Sequence, residues 1–308
     1  MTHVPVVLLV YNRLETTARV FASIAEARPE TLLVVADGPR RDRVDDVQRC
    51  QAVRDLVTRP GWNCDLRVNF AEENLGFNRR ISSGLQWAFS QFEEVIILED
   101  DCLPDSSFFP YCAELLEWYR SNDRVMMISG NNFQFGRQRG DGDYYLSHGV
   151  GCWGWASWRR AFQHFDPEMR TWPDERSSQI VDRIWPVPDI ADYWRARLDE
   201  AYQRQVDAWD YQWAFAMWRR GGLQIAPNTN LVSYIGCLAD TAHTTNVNAP
   251  FCNVPTSPAT FPLRHPSDAR RNLAADLFEF YRVFVDFEDA EADRRSHAVI
   301  VGEPSLRQ

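Results

Sequence analysis

The stretch Val95-Ile96-Ile97-Leu98-Glu99-Asp100-Asp101 decides the fold. A short apolar run bounded by polar residues reads as a strand covered on both faces. The carboxyl end of such a strand is where open α/β sheets form their ligand crevice, so the acids that follow Leu98 point into a cleft. Adjacent carboxylates repel one another, and a hard divalent cation with oxygen ligands, Mg²⁺ or Mn²⁺, offsets that cost. Such a cation keeps open positions that a diphosphate can fill. The competing reading is a solvated acidic turn or a helix cap ahead of Ser106 to Phe109. Placement directly after a buried strand favours the metal.

Outward from this stretch the pattern repeats. Val6-Val10, Leu32-Ala36, Leu66-Phe70 and Val125-Ser129 are further strand candidates, with amphipathic stretches between them. Val20, Phe21 and Ile24 form one helical stripe, and Ile81, Leu85, Ala88 and Phe92 another. Strand, crossover helix and parallel strand in succession predict an α/β fold with a mixed, mostly parallel sheet flanked by helices. A second strand ends in Ala36-Asp37-Gly38-Pro39, which brings Asp37 to the same crevice. From Gly149 the chain is dense in Trp and reads as helices and loops. Residues 249–266 are Pro-rich and loop-like, and Ser267 to Asp286 read as a helix with Leu273, Leu277, Phe280 and Phe284 on one side.

Composition narrows the function. The chain has 308 residues, 45% of them hydrophobic and 25% charged, as in an ordinary folded protein. Its net charge of -10 gives nucleic-acid phosphates no general attraction, so a nucleic-acid partner is disfavoured. All 33 basic residues are Arg, which coding bias explains. The 7 Cys contain no C-x-x-C pair, so neither a disulfide framework nor zinc-ligand spacing is expected, and a reducing, cytoplasmic compartment fits best. Val6-Val10 is too short for a signal sequence or membrane span. Peripheral contact with a membrane surface stays open, because such a patch leaves no linear signature.

Three other segments carry polar residues suited to chemistry. In Trp209-Asp210-Tyr211-Gln212-Trp213 the carboxylate sits at a helix start, where it serves as a cap or, partly desolvated between indoles, as a general base. His243, within Gly236 to Thr244, reads alone as a structural hydrogen-bonder. Gly151-Cys152-Trp153-Gly154-Trp155 reads equally as a Trp-rich core corner or as a wall where backbone and indole faces meet a sugar ring.

Taken in order, Pro5 to Arg13, Val34 to Gly38, Glu99 to Asp101, Gly151 to Trp155, Trp209-Asp210 and Gly236 to His243 resemble the GT-A fold glycosyltransferases. The likeness is closest to family 2-like bacterial enzymes and the N-acetylglucosaminyltransferase I group. It implies a catalytic domain over residues 1–245, with a nucleotide-sugar half to residue 130 and an acceptor half beyond. Residues 246–308 would form a C-terminal extension. The resemblance implies that Tyr11, Asn12, Arg13 and Asp37 meet the nucleotide, with Glu99, Asp100, Trp153, Gly154 and Trp155 lining the donor site. Asp101 and His243 would hold Mn²⁺ or Mg²⁺, and Asp210 would be the catalytic base. The implied activity is inverting transfer of a sugar from a nucleoside-diphosphate sugar, UDP-linked by preference, to a glycan or small-molecule hydroxyl. Gly84 stands where the N-acetylglucosaminyltransferase I group carries a nucleotide-contacting His. Arg79 and Arg80 just upstream could serve phosphate, though a solvated helix face is the favoured reading.

Three readings compete. A non-catalytic carbohydrate-binding protein would keep the fold but has no need of Asp37, the acid triplet, Asp210 and His243 together. A sugar-nucleotide nucleotidyltransferase expects a Gly-rich basic loop where Tyr11-Asn12-Arg13-Leu14-Glu15 stands. A nicotinamide dehydrogenase lacks its G-x-G-x-x-G.

Overall fold

The computed structural model describes residues 2–237 and 249–285. The chain opens with β1 (Val6–Val10), α1 (Leu14–Ala27), β2 (Thr31–Ala36), α2 (Asp46–Val57), β3 (Asp65–Phe70), α3 (Phe77–Gln91) and β4 (Glu94–Glu99). There follow β5 (Cys102–Pro104), α4 (Phe108–Trp118), β6 (Val125–Ser129), β7 (Tyr144–Ser147) and β8 (Trp155–Trp158). Short helices α5 (Arg159–Phe162), α6 (Trp172–Ser177) and α7 (Ile180–Ile184) lead to α8 (Pro188–Tyr202) and α9 (Asp210–Arg219). The last elements are β9 (Leu223–Pro227), β10 (Val232–Tyr234) and α10 (Leu273–Phe280), which runs on into a π-helical turn over Tyr281–Val285.

Eight strands form one sheet in the order β3-β2-β1-β4-β8-β6-β9-β7, and β5 pairs with β10 in a separate ribbon. β1 lies parallel to β2 and β4, while β8 runs antiparallel to both β4 and β6. The architecture is therefore the mixed, mostly parallel sheet flanked by helices that the sequence predicts. Alternate strand residues feed opposite layers. Val7, Leu9, Leu33 and Val35 face the layer built by α3 and α5 to α9, whereas Val6, Leu8, Leu32 and Val34 face α1, α2 and α4. Burial on both sides is why these strands are apolar throughout.

The structure corrects three expectations. The Trp-rich half is not only helices and loops, because β8 and β9 lie inside the main sheet. Its indoles are core: Trp155, Trp172, Trp209 and Trp213 are fully buried, and Trp155 stacks on Trp209 at 5.6 Å between ring centroids. The helix expected from Ser267 begins only at Leu273. There the Asn272 side chain accepts the Ala275 N–H at 3.0 Å, an N-cap that fixes the start. Ser267 instead donates its N–H and hydroxyl to Asp141. Cys237 and Cys252 form a disulfide, against the expectation from cysteine spacing. Strand-like pairing of Tyr234 with Cys252 brings the two thiols together, a tertiary contact that spacing does not encode. No described helix is long and apolar enough to cross a membrane.

Gly84 has a packing role. A Cβ there would lie 2.4 Å from Val35 Cγ1, so α3 sits on β2 at a distance only glycine allows.

His148, just after β7, is buried, and its Nδ1 donates to the Gly222 carbonyl at 3.1 Å. Burial, helped by nearby Arg271, pushes its pKa down to about 4. Between the ordinary value of about 6.5 and about 4, the unfolded chain gains a proton that the folded chain refuses, so stability falls as pH drops through that window. Urea unfolding at pH 7 and pH 4.5 should show wild type losing about 2 kcal/mol more than His148→Asn, whose amide can still donate to Gly222. An equal loss in both proteins would remove His148 as the cause.

Candidate functional site

The carboxyl ends of β1, β2 and β4 meet at one corner of the sheet. Leu9 pairs with Glu99 in register, so the turn Asp100-Asp101 lies beside Tyr11, Asn12 and Arg13. Arg13 grips both acids: one guanidinium nitrogen bonds Asp100 and the other reaches Asp101 Oδ2 at 2.7 Å. The Tyr11 N–H also donates to Asp100, at 3.3 Å. Asp100 and Asp101 are 2% and 4% exposed, so this pairing replaces most of the water that would otherwise solvate them. Burial works against the Arg13 charge, but Asp100 and Asp101 outweigh it and hold the guanidinium above its usual range.

The same geometry shifts the acids. Burial, with Asp100 adding to it and Arg13 opposing, pushes Asp101 up to about 6. Glu99 is raised too, by burial first and then by the charges of Asp101, Asp100 and, more weakly, Asp210, with Arg13 opposing. Asp210 bears also on Cys152. Its placement follows from the core, because Trp155 pairs with Ile97 across β8 and β4 and stacks on Trp209. Asp210 itself is the first residue of α9, not the cap, a position held by Trp209.

The β5–β10 ribbon closes the far wall. Ile235 N–H donates to the Asp101 carbonyl at 2.8 Å, and Gly236 passes so close that a Cβ would lie 2.3 Å from Asp101 Oδ2. Tyr234 stacks on Trp153 at 4.9 Å, and Trp153 on Phe251 at 4.9 Å. Trp153 is thus part of an aromatic stack beside the corner. Trp155 is fully buried and offers a ligand no surface. Gly154 has φ of 84° and gives its carbonyl to the Gly130 N–H, with Val232 in the space a side chain would need. Both fit the core-corner reading of this segment. His243 lies outside the described residues.

Asp37 is buried, and Gly38 N–H, Leu75 N–H and the Asn74 amide all donate to it. Burial raises its pKa against these bonds. It therefore fastens the loop after β3 to the end of β2.

Two residues that organise the corner carry no sequence signal as such. Asp46 accepts from Tyr11 Oη at 2.6 Å, Asn12 Nδ2 at 2.8 Å and Arg40 Nε at 2.6 Å. These bonds, Arg40's foremost, hold its carboxyl well below the usual range. In the sequence it is one acid in a polar stretch. Arg80, expected on a solvated face, is buried and donates to the Ala36 carbonyl and to Asn69, tying the ends of β2 and β3. Its signal was hidden because an Arg on an amphipathic helix normally faces water.

A carboxylate corner at the carboxyl edge of an open α/β sheet is where that class of fold binds its ligands. The profile of Glycosyl transferase family 2 matches residues 6–173, and the chain belongs to that family. No curated protein matches it. Among solved structures it is similar to the mannosyltransferase PcManGT from Pyrobaculum calidifontis in complex with GDP-Man and Mn²⁺, at 18% identity and a TM-score of 0.29. That likeness covers 42% of this chain and 35% of the other, about a third of its length. HddC from Yersinia pseudotuberculosis, complexed with GMP-PN, is similar at 10% identity and a TM-score of 0.31, over 52% of this chain and 78% of that one.

Asp46→Asn should lower stability by about 2 kcal/mol at pH 7, the range for hydrogen bonds to a charged group. A carboxyl held low stabilises the fold above its ordinary pKa and loses that contribution as pH falls, so the gap from wild type should narrow below about pH 4. Urea titrations at pH 7 and pH 3 check both; a gap independent of pH would overturn the assignment.

Proposed function

We propose that the chain is a metal-dependent, inverting glycosyltransferase that moves a sugar from a nucleoside-diphosphate donor, UDP-linked by preference, to a hydroxyl of a glycan or small-molecule acceptor. One observation carries the reading: Asp210 lies near enough to the acid turn Glu99 to Asp101 for its charge to act on Glu99, at the carboxyl end of β4 in a family 2 sheet. A cytoplasmic setting and a narrower kinship with the N-acetylglucosaminyltransferase I group belong to the same proposal.

The residues present suit a hard cation. Among the described residues no cluster of three or more His, Cys, Asp or Glu could hold a metal. Mg²⁺ and Mn²⁺ sites, however, commonly use one or two carboxylates and complete their shell with water and substrate phosphates. Asp101 fits that mode: Arg13 takes its Oδ2, and the contact recorded at Oδ1 is the weak Cys102 thiol at 3.6 Å. Asp101 would be the ligand, with Asp100 beside it and His243 the third candidate. When bound, the cation would stabilise negative charge on the departing diphosphate.

The chain's own groups supply the rest. Tyr11, Asn12 and Asp37 stand at the ends of β1 and β2, where a nucleoside would lie. Arg13, held in place by two carboxylates, presents its remaining donors toward phosphate. Asp210 takes the proton from the acceptor hydroxyl as that oxygen bonds to the anomeric carbon. The bond from that carbon to the diphosphate oxygen breaks on the opposite face, and its electron pair leaves with the diphosphate. Positioning and charge stabilisation would supply most of the acceleration.

Asp210→Asn should keep nucleotide binding and lose transfer by about 10²-fold or more, the scale of general-base catalysis. Near-normal turnover would remove Asp210 as the base. Asp101→Ala should abolish the metal-dependent part of the thermal shift given by UDP or GDP with Mn²⁺, relative to EDTA. An undiminished metal-dependent shift would remove Asp101 as ligand.

A further inference from the structure

A cavity of about 190 Å³ lies at the far end of the β5–β10 ribbon, away from the acid corner. We infer that it is a carbohydrate subsite that holds one sugar ring of the acceptor. The inference rests on the glycosyltransferase reading above. Its lining combines hydroxyl-binding groups, Tyr111, Gln138, Asp143 and Thr260, with the flat apolar faces of Pro227 and Pro258. That is the chemistry a sugar ring asks for: carboxylate, amide and hydroxyl for its edge, and apolar surface for its C–H face. No Arg or His stands among the lining residues, which argues for a neutral ligand over a phosphate.

The second observation is Tyr111. It is fully buried on α4, yet among the described residues its hydroxyl has no hydrogen-bond partner. Buried polar groups in folded proteins are nearly always paired, so an orphan hydroxyl on a residue that lines the cavity marks a place where a further oxygen belongs. Asp143 also retains accepting capacity. One oxygen takes the Arg264 N–H at 2.7 Å, and the other has only a long Arg264 contact at 3.4 Å.

The ribbon relates this cavity to the reaction. At one end Ile235 bonds the Asp101 carbonyl; at the other Asp105 bonds Leu231, which lines the cavity. Four residues of strand separate the two points, about 13 Å. A short oligosaccharide can span that interval. The cavity holds about six water volumes, room for one ring but not two.

The test is saturation-transfer NMR on the full chain with methyl glycosides of glucose, galactose, mannose, N-acetylglucosamine and rhamnose. It is run on wild type, Tyr111→Phe and Ala259→Trp, the last of which fills the cavity. Thermal melts verify folding, and Tyr111→Phe removes only an unpaired oxygen. At least one glycoside should bind wild type, bind Tyr111→Phe at least fivefold more weakly, and fail to bind Ala259→Trp. Binding to none of the five by folded wild type, or binding indifferent to both variants, would overturn the subsite and leave the cavity to water. UDP and GDP thermal shifts with Mn²⁺ are read separately on wild type. Their absence would count against the glycosyltransferase reading, whereas their presence without glycoside binding would count against the subsite alone.

Discussion

Burying two neighbouring carboxylates is the constraint around which this molecule is arranged. Asp100 and Asp101 are almost fully enclosed, and their mutual repulsion would open the end of β4 if nothing opposed it. Arg13 opposes it from the residue that leads into α1, so the first strand, the first helix and the acid turn are fixed as one unit. Removing one member of a buried ion pair typically costs about 3–5 kcal/mol, because the partner is left charged and unpaired.

Further charged side chains hold the surrounding loops by the same logic. Asp46 fixes Tyr11, Asn12 and Arg40; Asp37 fixes the loop after β3; Arg80 fixes the ends of β2 and β3. Each is a charged group held by neutral or oppositely charged donors and acceptors, so the crevice is lined by side chains whose orientations are already decided. Such preorganisation is what electrostatic catalysis needs.

Of the five strands legible in the sequence, β1, β2, β4 and β6 are apolar on both faces, while β3 alternates Arg67 and Asn69 with apolar residues. β7, β8 and β9 were not legible, because Tyr144 to Ser147, Trp155 to Trp158 and Leu223 to Pro227 mix aromatic, small and polar residues. Ser157 and Gln224 are polar yet buried, satisfied by the Met126 carbonyl and the Gly151 N–H. A linear pattern cannot show such partners. At the site, the acid triplet stood out because its charge runs against the burial of its strand. Asp46 and Arg80 did not, since a charged residue on a helix is expected to meet water and only the tertiary structure turns it inward. The disulfide was hidden for the same reason.

The reversed strand β8 has a consequence for how the chain is made. It separates β4 from β6, so β4, with its apolar middle, has no partner on that side until residues 155–158 have been synthesised. During translation β4 therefore remains an open edge for more than fifty residues, and open apolar edges are where nascent chains associate wrongly. Helix α4, which packs on β4 and β8 alike, emerges early and can shelter one face, but not the backbone edge itself. The vulnerable interval in the life of this protein thus falls before its Trp-rich half exists, and the strand that ends it carries two of those indoles.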